Sequence, residues 1–483
     1  MVFQNNVLGG ASNSGTTGYT IDQSIRFNPG DSSYMHKTYS GAGDRTAWTF
    51  STWFKLGLCN GFAAGSGLYY VFFSCDAGTS DANRGIFSIN NDSSGSGGME
   101  IQFQGHGTIF LRTNRVFRDP SSWYHVTLVW DSDNAVAQDR CRLYINGVRE
   151  TSFDASSNPT SGQEIGINTA NAHRIGAGYN ISGGSVVYYF DGYLAETVFL
   201  DGTAANASSF GEFNNSNLWV PKNVSGLTFG TNGFWIDGRD ASDLGDDEAG
   251  SNDYTTSGLA SNDQKPDTPT NNQITFNPLN NQRSGGTPSN GNLDYVGPST
   301  RTLITLTANL PTSGKWCCAF KVQAVSTDAG WQIGVGYADD SDLGDAAGSN
   351  EDVSIIRMGP SSSEVFIWDA IAGAEIDPSL AITTSDEFWV AQDMGTGKTY
   401  LGIYDASATA MKWIANDGGV DGNPSAGTNE TKTNSALAGS DNVAITVASK
   451  ASNTVYLQKS GDVSGTVPTG YTYFENVMDL IGS

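Results

Sequence analysis

Positive charge is scarce in this sequence: 25 of its 483 residues are Lys or Arg, against 50 Asp or Glu, for a formal charge of −25. A nucleic-acid backbone is bound by clustered Lys and Arg that displace counterions. No basic run exists here, which excludes nucleic acid as a partner. Apolar runs of about 18 residues, the length a membrane-spanning helix needs, are also absent, which argues against membrane insertion. Cysteine is sparse and odd in number, with Cys59, Cys75, Cys141, Cys317 and Cys318 and no C-x-x-C pair. These read as buried thiols made in a reducing compartment, not as a disulfide framework. The four histidines, His36, His106, His125 and His173, lie far apart with no H-E-x-x-H, so zinc is not expected. The first twenty residues have neither a basic start nor an apolar core, and no secretory signal is visible. Heptads and a G-x-y period are missing too, so any fibre built from this chain would use globular knobs, not a rod.

What the chain has is glycine (59), aromatics and short alternating bursts such as "WTFSTWFKLG", "GIFSI", "MEIQFQ" and "WYHVTLVWD". Alternation at period two predicts strands with one buried face. In "CRLYINGVRE", Asn146-Gly147 supplies the positive φ angles of a type I′ hairpin turn. The stretch "VAQDMGTGKTYLGIY" contains GTGKT but has Gln392 where a phosphate-binding loop needs glycine. It reads as two strands joined at Gly395 and Gly397, with Lys398 as an edge charge. The fold class is therefore all-β, with two β-sandwich (jelly-roll) domains.

Composition shifts divide the chain into an N-terminal arm (1–20), a first sandwich (21–202), a linker or connector (203–270) and a second sandwich (271–483). The connector holds Pro266, Pro269 and a polar tract. An acidic repeat, "SDLGDDEAGSND" at 242–253 and "SDLGDAAGSNED" at 341–352, departs from the calcium-loop pattern and reads as flexible loops.

The first block resembles the laminin-G-like, concanavalin-A-like jelly rolls. The resemblance rests on "AWTFSTWFKLG", "WYHVTLVWD", "CRLYINGVRE" and "FDGYLAETVFLDG", with a departure at Ala195-Glu196, where an acidic pair is usual. The second block is similar to SPRY-type sandwiches in "SGKWCCAFKV", "WQIGVGYAD" and "DEFWVAQDMGTGKTYLGIYD". In their order, and with the bridge "LWVPKNVSGLTFGTNGFWID", the two blocks resemble tailed-phage virion proteins. That resemblance implies a tail fibre, spike or head fibre component that is assembled in the host cytoplasm and located in the virion. It would contact other virion proteins of capsid or tail, self-associate as a homotrimer, and attach to host surface polysaccharide. A capsid decoration or cement protein without a ligand is the alternative, and a glycan-degrading depolymerase is the second.

Catalytic patterns are incomplete. Two strand carboxylates at alternate positions would mark a glycosidase. The nearest match is "EIDPSLA", with Glu375 and Asp377, but Leu380 replaces the second glutamate and the segment reads as a turn. No G-x-S-x-G elbow occurs, so no catalytic residue is expected and the protein is read as non-enzymatic. His125, between Trp123 and Trp130, reads as a hydrogen-bonded core histidine. The candidate ligand-binding residues are oxygen-bearing loop positions: Asp76, Asp81 and Asn83 in "SCDAGTSDANRG", and Asp131, Asp133 and Asp139 in "WDSDNAVAQDR". No cofactor is expected apart from Ca²⁺, for which these oxygens are candidate ligands.

Overall fold

The computed structural model describes residues 18–57, 69–76, 84–91, 99–105, 107–180, 184–282, 286–298, 302–325, 330–338, 356–361, 364–369, 374–449 and 453–475. The chain forms two compact units, Met1–Asn272 and Gln273–Ser483. Among the described residues both are built of strands, interrupted by short 3-10 turns such as Pro29–Asp31.

The first unit contains two eight-stranded sheets. One runs, in spatial order, Val148–Arg149, Cys141–Ile145, Trp123–Asp131, Ala47–Leu56, Gly192–Asp201, Ser24–Phe27 and Gln264–Lys265, with Phe234–Ile236 also pairing Gly192–Asp201. The other runs Phe153–Ser156, Thr108–Phe117, Met99–Gly105, Gly85–Asn91, Tyr69–Asp76, Ala172–Ile175, Tyr34–Thr38 and Thr255–Ser257. Alternation sets the faces. Trp48, Phe50, Phe54 and Leu56 point into the core and meet Phe73, Phe87, Phe103 and Trp130. Phe50 stacks on Phe73 at 4.9 Å and Trp48 on Trp130 at 6.0 Å. Each such buried aromatic contributes roughly 1.5–3 kcal/mol through removal of apolar area from water. The Asn146-Gly147 turn has φ of 46° and 76°, as its hairpin requires, and a Cβ on Gly147 would lie 2.2 Å from the Trp219 ring.

Residues 203–270, expected to be a connector, belong to the first unit instead. They supply Phe234–Ile236, Thr255–Ser257 and Gln264–Lys265 to its sheets. Phe210, Val224 and Trp235 pack on Val198 and Leu200, covering the outer face of the first sheet. Arg26 pairs with Asp263 at 2.7 Å, both buried. The first acidic repeat is pinned as well: the Asp247 carboxylate accepts from Trp235, Ala249 and Asn252 backbone N–H groups. The second copy lies outside the described residues.

The second unit has a seven-stranded sheet, Phe276–Gln282, Thr302–Leu306, Val443–Ser449, Gln332–Tyr337, Ile356–Ser361, Glu364–Asp369 and Ala374–Ala381. A nine-stranded sheet centres on Lys315–Val322, Glu387–Asp393 and Lys398–Asp405. Trp331, Phe320, Phe388 and Ile445 fill the space between them. The GTGKT stretch is a hairpin in which Asp393 pairs with Lys398 and Gly397 has φ of 72°. Lys398 is not at an edge: its strand also pairs with Lys432–Thr433, and its ammonium reaches Gly427 O at 2.7 Å and Glu430 at 3.1 Å. "EIDPSLA" lies in a strand, not a free turn. Its register slips between Ile376 and Leu380, Ser379 has φ of 50°, and Asp377 accepts from the Ser379 N–H. The cysteines among the described residues, Cys75, Cys141, Cys317 and Cys318, are all buried.

Candidate functional site

The outer face of the first unit's second sheet is where unsatisfied polar chemistry collects. On Gly85–Asn91, Phe87 and Ile89 enter the core, so Ser88 and Asn90 take the opposite face. On Met99–Gly105, Met99, Ile101 and Phe103 enter the core, leaving Glu100, Gln102 and Gln104 outside. Register aligns these sets, with Ser88 opposite Gln102 and Asn90 opposite Glu100, while Gln102 in turn faces Arg112.

Ser88 (0% exposed) and Asn90 (5%) are buried, yet Ser88 Oγ and Asn90 Oδ1 have no hydrogen-bond partner among the described residues. A buried polar atom without a partner costs about 1–3 kcal/mol, so a cluster of them on one face points to groups that complete their bonding with something else. Gln102 Nε2 donates to Gln104 Oε1 at 3.4 Å, and the Arg112 guanidinium stands between Glu100 (3.8 Å) and Asp154. A pair of tyrosines edges the row. Tyr69, 36% exposed and paired with Asn90, lies 5.1 Å from Tyr188. Hydroxyl, carboxamide, carboxylate and guanidinium in one row, with aromatic rings beside it, offer mixed donors and acceptors plus a flat apolar surface. That combination matches a neutral polyhydroxyl ligand in chemistry, although Ser88, Asn90, Gln102 and Glu100 are each 6% exposed or less and the open side of the row is its Tyr69 edge.

The loop aspartates expected to bind ligand are placed otherwise. Asp76 ends a strand of this sheet opposite Ala172, and Asp81 and Asn83 lie outside the described residues. Asp131 accepts from Asn134 at 2.9 Å and faces Arg142 at 3.3 Å, while Asp139 pairs with Arg149 at 2.7 Å. Asp133 is exposed. Among the described residues no three carboxylate, His or Cys groups converge as a metal site. The row at Ser88, Asn90 and Gln102 was missed. Its signal was the polar half of the alternation in "GIFSINN" and "MEIQFQG", which solvent alone would also explain.

A second crevice, on the outer face of the first sheet, brings Ser51, Trp53, His125, Glu196 and Phe210 together. Ser51 Oγ is 2.8 Å from His125 Nε2, which raises the question of a Ser–His nucleophile. Trp219 Nε1 donates to His125 Nδ1 at 3.1 Å, and an indole N–H only donates. Nδ1 is therefore bare and the ring proton sits on Nε2, which gives it to Ser51. A base for Ser51 needs the opposite tautomer. Burial holds the imidazole neutral, its pKa pushed down to about 3. Glu196 sits at a register shift with φ of 49°, a backbone region costly for glutamate. Its carboxylate accepts from Tyr19 and Trp235, each at 2.8 Å, and burial pushes its pKa up to about 7.

Comparison with known proteins agrees with this architecture. Residues 29–208 match a family model described as the concanavalin A-like lectin/glucanases superfamily. No curated protein matches the chain. Similar solved structures include a native heptameric SAP-like pentraxin from Limulus polyphemus, 17% identical over 50% of this chain and 96% of that one, with a TM-score of 0.31. The TRIM65 PSpry domain is 11% identical over 38% of this chain and 90% of that one, TM-score 0.26. Full-length tailspike protein 2 from Escherichia coli O157:H7 bacteriophage CAB120 is 16% identical over 41% of this chain and 28% of that one, TM-score 0.25. Residues 29–208 are thus similar to a concanavalin A-like β-sandwich domain, within a chain that is all-β among its described residues.

Proposed function

We propose that this protein is a structural component of a phage virion, belonging to a tail fibre, spike or head fibre, whose first sandwich attaches to host surface glycan without catalysis. The observation that carries the binding reading is the row of Ser88, Asn90, Gln102 and Glu100, with two buried polar atoms lacking partners and tyrosines alongside. Sugar hydroxyls both donate and accept, so they complete such a row where an anion would meet Glu100 and an apolar ligand would strand every polar atom. The virion reading rests on the order and wording of the two sequence blocks, the second SPRY-like. The non-enzymatic reading is supported by the His125 tautomer, which leaves Ser51 without a base. Weak contacts of this kind become useful when copies are displayed together, and a homotrimer carried by other virion proteins supplies that avidity.

The test is a glycan array probed with the multimerised protein. Binding to a host polysaccharide is expected, with Asn90→Ala and Gln102→Ala each weakening it about tenfold, the loss of one good hydrogen bond, while thermal unfolding stays in place. Absence of binding to any glycan, or binding untouched by both substitutions, would overturn the reading. Release of reducing ends from a bound polysaccharide would replace attachment by hydrolysis.

A further inference from the structure

Lys55 is the one charged residue that the strand Ala47–Leu56 carries, and it is 1% exposed. Its sheet neighbours are Trp123 on one side and Tyr193 on the other. With Ile21, Trp53 and Ala195 these rings form a buried apolar cluster on the outer face of the sheet. Into this setting the chain returns more than two hundred residues later with two further side chains. Lys55 Nζ lies 2.8 Å from Asp267 Oδ2 and 2.9 Å from Asn272 Oδ1. Asp267 is 3% and Asn272 5% exposed.

Every atom of the group is oriented. Asp267 Oδ1 accepts from Trp123 Nε1 at 2.9 Å, which leaves Oδ2 for the amine. Asn272 Nδ2 donates to Ser121 O at 2.9 Å, so its amide is fixed with the carbonyl toward Lys55. A buried ion pair repays its desolvation poorly, and well-packed apolar residues would hold the cover as firmly. An amine, a carboxamide carbon and a proton carrier held together away from water are, however, the ingredients of an amide exchange.

We propose that Lys55 and Asn272 become joined by an isopeptide bond, formed in the folded chain with Asp267 moving the protons. Asp267 takes one proton from the Lys55 ammonium, and the neutral Nζ attacks Cγ of Asn272. The Cγ–Nδ2 bond breaks. The second Nζ proton passes through Asp267 to the departing nitrogen, which leaves as ammonia. Ammonium, carboxylate and carboxamide thus become a secondary amide, ammonia and a protonated Asp267, with charge and hydrogens balanced and no oxidant needed. Two buried charges are replaced by neutral groups, a change the apolar surroundings favour. The inference is independent of the glycan reading.

Mass spectrometry of the purified full chain tests it. The intact protein is expected to be lighter than its sequence by one ammonia, and a protease digest to contain a branched peptide linking Lys55 to Asn272. Asn272→Ala and Lys55→Arg are each expected to return the full sequence mass, and Asp267→Asn to abolish or greatly slow the loss. A wild-type chain that keeps its full mass after long incubation at neutral pH overturns the proposal. So does ammonia loss without the branched peptide, which is succinimide formation elsewhere, and so does loss of water, which would put the bond on Asp267. The wild-type measurements decide the matter even if a variant fails to fold.

Discussion

In the first unit the strand Ala47–Leu56 turns Ser51, Trp53 and Lys55 against a cover knit by directed polar bonds: Ser51 to His125 to Trp219, Lys55 to Asp267 and Asn272, and Glu196 to Tyr19 and Trp235. In the second unit the strand Lys315–Val322 turns Cys317 and Ala319 toward Trp389, Trp413, Tyr471 and Tyr473, a cover held by ring packing. One carboxylate reinforces it, Glu387, which accepts from the Ser464 and Gly465 N–H groups and from Trp389 Nε1. The lesson concerns tolerance. An apolar cover responds to volume and forgives small shifts, whereas a polar cover demands its partners in place because each stranded group costs as much as a lost methyl or more.

The comparison is first tested at the two cores, where the units should behave alike. Trp130→Ala and Trp331→Ala should each cost about 3–5 kcal/mol, measured by urea unfolding with probes in each unit. An equal effect of one substitution on both units would break the division. The covers should then diverge with pH. Glu196 is raised by burial to about 7 from an ordinary 4.5, so the native state holds a proton that the unfolded chain has released across that window. Its contribution is fully present below about pH 4.5 and lost as pH rises through about 7, a change of roughly 3 kcal/mol. Glu196→Gln should match the wild type near pH 5, exceed it in stability at pH 8, and leave the second unit's profile unchanged; a wild-type curve that is flat between those values would refute this. The smallest effect belongs to the exposed pair Arg45–Glu164, 2.5 Å apart with the carboxylate side chain 51% exposed. Glu164→Ala should shift stability by less than about 0.5 kcal/mol, and a larger shift by calorimetry would show that surface charge also distinguishes the units.

Much of the fold could be read from residue pattern. "CRLYINGVRE" and "GTGKT" are hairpins because positive-φ residues stand between alternating strands, and Trp48, Phe50 and Phe54 fall on one face by period two alone. The cover of the first unit could not be read, since "FWI" at 234–236 is only three residues long and its partners Thr197–Phe199 are specified by contact, not by local sequence. Lys55 and Asp267, separated by 212 positions, give no local signal at all. For the site, oxygen-rich loops drew attention because carboxylates suit Ca²⁺, but Asp131 and Asp139 spend their oxygens on Arg142 and Arg149. Ser88 and Asn90 looked like ordinary outward residues, and only burial without partners distinguishes them.

The first unit enters and leaves its sandwich side by side. Ile21 N–H bonds Thr270 Oγ1 at 3.0 Å, and Ser24 pairs with Lys265. Tension between residues 20 and 272 would meet this short antiparallel ladder at its open end, where the rungs unzip in succession instead of shearing together. A bond between Lys55 and Asn272 would carry that tension past the chain from 56 to 271, so that only the strands before Lys55 could be drawn out.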